Sequence, residues 1–154
     1  MSEDGGAYVV IEFIGTITLN GTDYSTSRCC GTSSAGYSHQ SNLALIKVNG
    51  SGEMPWAAVF GHRGDDKVDA VVLRDSGNID VFYNPHYPPG CAGYSQSACN
   101  SYQQQSVQIT DGTSQGIGYG IEGYQDSEPK VLSLSSQGGV VNFRSSGFED
   151  DEGP

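Results

Sequence analysis

Either side of Asp75-Ser76-Gly77-Asn78 the chain alternates with the period of two that a β-strand imposes, and no other stretch constrains the fold so tightly. Gly77 or Asn78 can take the positive φ of a tight turn, so residues 68–73 and 79–83 read as the arms of a β-hairpin. The surrounding stretch from Trp56 to Asn84 also holds the one Trp of the chain. A second hairpin is expected at residues 131–134 and 140–143, across Gln137-Gly138-Gly139. Its spacing repeats the first: Leu73, Gly77, Ile79 and Phe82 each have a counterpart 61 residues on, at Leu134, Gly138, Val140 and Phe143.

Composition points the same way. Gly supplies 22 of the 154 residues, and each Gly inside a helix costs about 1 kcal/mol, so short strands joined by turns suit this chain better than helices do. Residues 7–19 form an apolar run broken at Gly15, a bulge or a bend, and Asn20-Gly21 signals a hairpin into residues 22–26. Residues 27–42 have no periodicity and read as a loop. Strands follow at 43–48 and 56–60, separated by Asn49-Gly50 and by Pro55, which marks an edge position or a strand start. Residues 61–67 read as a polar turn, 84–105 as a second long loop, and 106–110 and 117–124 as short strands. The expectation is an all-β, single-domain antiparallel β-sandwich or jelly-roll-like fold with long stapled loops over residues 1–148, and an acidic tail over 149–154.

The formal charge is −11, from 18 acids against 7 bases. Such a surface repels phosphate backbones and anionic lipid, which argues against nucleic acid as a partner. No apolar run reaches the roughly 18 residues of a membrane helix, so no membrane insertion is expected. Met1-Ser2-Glu3-Asp4 is the opposite of a cationic, apolar signal peptide, and synthesis in the cytosol without one is the expectation.

Cys29 and Cys30 are adjacent, and Cys91 and Cys99 flank a polar segment. Adjacent cysteines bridge one another poorly, so if disulfides form, each of Cys29 and Cys30 takes one of Cys91 and Cys99. Such a bridge would contribute roughly 4 kcal/mol in the chain-entropy account. The cysteine and histidine spacings fit no zinc motif. Arg63-Gly64-Asp65 spells an integrin-recognition tripeptide, although the same residues make good turn chemistry. Tyr37, Tyr83, Tyr87, Tyr94 and Tyr102, with Arg63, provide the makings of a binding surface, since flat rings beside polar groups stack on sugars or fill protein interfaces. Asn20-Gly21-Thr22 and Asn49-Gly50-Ser51 are formal glycosylation sites that hairpin turns also explain. No nucleophile elbow, His-Glu-x-x-His or phosphate loop is present, and no catalytic residue is nominated.

Residues Gly61 to Asn84, with a Gly-Asp-rich loop, a strand, a Ser-Gly-Asn turn and a second strand, resemble one blade of the calcium-binding propeller repeats called FG-GAP. The resemblance implies Asp65, Asp66 and Asp69 as oxygen ligands for calcium, while His62 and Arg63 stand where that family carries earlier acids. A closed propeller needs at least four blades, whereas two hairpins suit a sandwich.

Two functions follow as expectations. One is a structural component of a viral or phage-like particle, a capsid decoration, spike or fibre protein acting through protein neighbours in a homo- or hetero-oligomeric assembly, with possible host-surface attachment. It would reside on a virion or extracellular particle surface. The other is a carbohydrate-binding module or lectin that reads a cell-surface glycan through the loop tyrosines, with or without calcium and with no other cofactor.

Overall fold

The computed structural model describes residues 5–26, 41–61, 65–86, 106–116 and 129–145. These form eleven strands: β1 (Ala7–Ile14), β2 (Thr16–Leu19), β3 (Thr22–Ser25), β4 (Ser41–Val48), β5 (Trp56–Phe60), β6 (Asp65–Leu73), β7 (Ile79–His86), β8 (Ser106–Ile109), β9 (Ser114–Gly116), β10 (Lys130–Leu134) and β11 (Val140–Ser145). They build a five-stranded sheet in the order β1-β4-β5-β8-β9, a four-stranded sheet in the order β11-β10-β7-β6, and the β2-β3 hairpin. All pairings are antiparallel. The fold is all-β and sandwich-like. Both repeated hairpins fall in the same four-stranded sheet rather than in separate blades.

Strand alternation sorts the residues into two apolar layers. Leu43, Leu45, Trp56, Ala58, Phe60, Val107 and Ile109 meet Ile79, Val81, Tyr83, Leu132 and Leu134 in the main core between the sheets. On the opposite face of the five-stranded sheet, Ala44, Ala57 and Val59 pack with Leu19 and Tyr24 of the β2-β3 hairpin, so β5 is buried along its whole length. Small side chains at 44 and 57 let the hairpin approach, and burying Leu19 contributes about 1.5–3 kcal/mol. Gly15 makes this third layer possible. Its φ of +86° turns the chain out of β1 into β2, and its carbonyl and amide bond Thr26 at the hairpin base.

The β4-β5, β6-β7, β8-β9 and β10-β11 connections close in one way, by a three-residue loop with Gly at positive φ: Gly52, Gly77, Gly112 and Gly138. Gly77 thus takes the left-handed position in the first hairpin. In the β4-β5 turn it is Gly52 and not Gly50, because Asn49 Oδ1 accepts from the Ser51 and Glu53 amides and sets a wider loop. Pro55 stands at a strand start, just before central β5. One expectation is corrected. β6 begins at Asp65, so residues 65–67 lie in a strand paired with 84–86 and not in a polar turn. The partner of β8 is β9, reached through Asp111-Gly112, whereas the expected strand at 117–124 lies outside the described residues.

Candidate functional site: the sheet edges and the buried polar pole

The edges are the feature most open to a partner. Among the described residues, β1 and β9 bound the larger sheet and β6 and β11 the smaller one. Among the described residues the exposed large hydrophobic side chains are Val9 (43%) and Ile14 (57%) on β1, Val71 (39%) and Leu73 (40%) on β6, and Val141 (54%) on β11. All five are on edge strands. Val71 and Leu73 register with core-facing Val81 and Ile79, so they point to the interior side yet stay uncovered at the flank. Val141 is the extra residue of a bulge, where β10 shifts register between Ser133 and Leu134.

A side-chain latch ties β1 of the larger sheet to β6 of the smaller one. Glu12 Oε1 accepts the Val68 amide at 3.0 Å, and Oε2 accepts Lys67 Nζ at 3.1 Å. Partial burial raises the pKa of Glu12, but these two hydrogen bonds and the Lys67 charge outweigh it and leave the carboxyl below its ordinary value.

Strand registers put Ser41, Asn42, Gly61, Asp66, Tyr83 and Lys130 at one pole of the sandwich. Ser41 Oγ donates to the Asp66 carbonyl at 3.0 Å. A Cβ on Gly61 would stand 2.5 Å from Asp66 Oδ2 and 2.8 Å from Asn42 Oδ1, so glycine alone fits between them. The rings of Phe60 and Tyr83 meet edge to face at 5.4 Å. Asp66 and Lys130 are buried with them, a placement charged side chains seldom adopt without partners. Among the described residues the opposite pole carries the tight turns, and Trp56 Nε1 donates to the Ser136 carbonyl there.

A third polar group lies on the outer face of the four-stranded sheet. Asp80 Oδ1 accepts Ser133 Oγ at 2.6 Å, and Oδ2 takes Arg74 Nε and Nη2, each at 2.7 Å. Burial pushes the Asp80 pKa up, but the Ser133 and Arg74 hydrogen bonds and the charges of Arg74 and Arg144 override it and hold the carboxyl below its usual value. A carboxyl with a lowered folded pKa binds fewer protons folded than unfolded, so its stabilisation is present above the unfolded value and disappears as pH falls through the folded one. The expected result is a urea midpoint that drops on acidification below about pH 4, with the drop reduced in Asp80→Asn. An equal acid slope in the variant would remove Asp80 from this role.

Of the residues nominated from sequence, Cys29, Cys30, Cys91, Cys99, Tyr37, Tyr87, Tyr94, Tyr102 and Arg63 lie outside the described residues, whereas Tyr83 is no surface ring, because β7 turns it into the core against Phe60. Asp65, Asp66 and Asp69 share strand β6 instead of a chelating loop. Asp66 points into the buried pole, while Asp69 is the exposed extra residue of a bulge. Among the described residues no three His, Cys, Asp or Glu side chains group as metal ligands. No described helix is long and apolar enough to cross a membrane. Sequence reasoning missed the Asp66 and Lys130 burial, the Asp80 network and the Glu12 latch. Only Glu12 carried a signal, as the one charge inside AYVVIEFI.

Compared with protein-family models, with curated proteins and with solved structures, the chain gives no match.

Proposed function

We propose that this chain is a structural component of a viral or phage-like particle, a capsid decoration, spike or fibre protein that works through assembly with protein neighbours. Among the described residues, the confinement of the five exposed large hydrophobics to edge strands carries this reading. An edge strand offers unpaired backbone donors and acceptors, and apolar side chains beside them supply the burial that makes strand addition favourable. The acidic surface supports a protein neighbour over nucleic acid or anionic lipid. Bridges among Cys29, Cys30, Cys91 and Cys99 belong to the same reading, as staples suited to a particle outside the cell. Light scattering of the purified chain over a wide concentration range is expected to give a mass above one chain that rises with concentration. A single-chain mass throughout would overturn self-assembly.

A further inference from the structure

The edges are not equally protected against pairing. β9 pairs with β8 over the three residues described for it, Ser114–Gly116. β6 is interrupted by the bulge at Asp69 and carries Asp65, Asp66 and Lys67, and its Val68 amide is capped by Glu12. β11 is kinked by its own bulge at Val141 and bears Arg144. Bulges and charges of this kind are how natural sheets keep their edges from pairing. β1 has none of them. Its eight residues pair with β4 in unbroken register, without proline or lysine, and its one charge, Glu12, is drawn back onto Lys67 and Val68.

From this asymmetry we infer that β1 is where a second copy of the chain adds, β1 against β1, antiparallel across a two-fold axis, joining two five-stranded sheets into one. This rests on the assembly reading and names the surface it uses. Among the described edges longer than three residues β1 alone lacks such guards, and one edge of this kind favours a second copy in a closed pair, because an open fibre needs two different edges that accept each other. The sequence of β1 fits itself. With Ile11 opposite Ile11, residues on the same face align: Val9 meets Phe13, Tyr8 meets Ile14 and Val10 meets Glu12. No like charges face each other, and the exposed Val9 and Ile14 gain apolar partners. Elsewhere the copies repel through their charge of −11, so pairing should tighten as salt screens it.

The test is sedimentation and light scattering of the full chain, of Val9→Lys and of Val141→Lys, each at low and high salt, with circular dichroism melting to verify folding. Both substituted side chains are exposed, so the fold is expected to persist. The wild type should plateau at twice the chain mass and tighten with salt. Val9→Lys should weaken the dimer at least about tenfold, and Val141→Lys should leave it unchanged. A Val9→Lys chain that pairs as tightly as wild type overturns the β1 interface. If Val141→Lys then abolishes association, the assembly reading survives through β11. Mass growing past two chains without a plateau overturns the two-fold closure, and a wild type that stays single at every concentration and salt overturns both readings.

Discussion

Replacing Trp56 by alanine is expected to lower the unfolding free energy by about 3–5 kcal/mol, the range for a large aromatic removed from a core. Trp56 is 6% exposed and opens β5 at the turn pole. Its indole packs against Tyr8 with ring centroids 6.1 Å apart, while Nε1 donates to the Ser136 carbonyl at 3.0 Å in the β10-β11 turn. One side chain therefore joins the end of the larger sheet to a turn of the smaller one. Trp56→Phe keeps most of the apolar contact and loses the hydrogen bond, so it should cost distinctly less. The measurement is the urea midpoint followed by far-ultraviolet circular dichroism, because the variants lack the one Trp that fluorescence would report. Equal losses in both variants would show that the Ser136 bond, and not the packing, holds this pole.

Gly138→Ala is expected to be the second most damaging change. Gly138 sits at a φ of +87°, which costs an L residue about 1–2 kcal/mol. A Cβ there would also stand 3.0 Å from Trp56 Cδ2 and Cε3, and relieving such overpacking typically costs a further 1–3 kcal/mol, roughly. Gly77 provides the control. Its φ of +83° is nearly the same, in the equivalent turn of the other hairpin, and nothing lies within 4 Å of its Cβ position. Gly77→Ala should therefore show the backbone cost alone, and the difference between the two melting curves isolates the contact with the indole. If both alanine variants melt together, Trp56 yields at no cost and its grip on the turn is looser than the distances imply.

Local chemistry was legible wherever the chain itself decides the outcome. The turns at Asn20-Gly21, Gly77 and Gly138 announce themselves because only glycine or asparagine tolerates that φ, and Pro55 marks the start of β5. The signal failed where a side chain overrode it. Asn49-Gly50 looks like a two-residue turn, yet Asn49 Oδ1 captures the Ser51 and Glu53 amides and moves the left-handed position to Gly52. It failed again where distant strands decide. Ala57 and Val59 should face solvent by alternation, and they are buried because a hairpin 30 to 40 residues upstream covers them. Lys130 heads an apolar run and reads as its solvated end, but the pairing of β10 with β7 carries it inside. The candidate edges depend on sheet order, and no local pattern in β1 distinguishes an edge strand from an interior one.

Sheet order also governs how quickly this chain can find its structure. The hairpins β2-β3, β4-β5, β6-β7, β8-β9 and β10-β11 are each local, and such units form within about 1–10 μs. Joining them requires β1 to meet β4, β5 to meet β8 and β7 to meet β10, pairings between distant parts of the sequence. Each must close a long loop before any contact repays the lost entropy, which places folding on the order of milliseconds to seconds. During synthesis β1 emerges before β4 and waits for it while the β2-β3 hairpin and residues 27–40 are made. For that interval both sides of the least guarded strand are open, so nascent chains crowded on one message are the setting in which it would meet its own copy earliest.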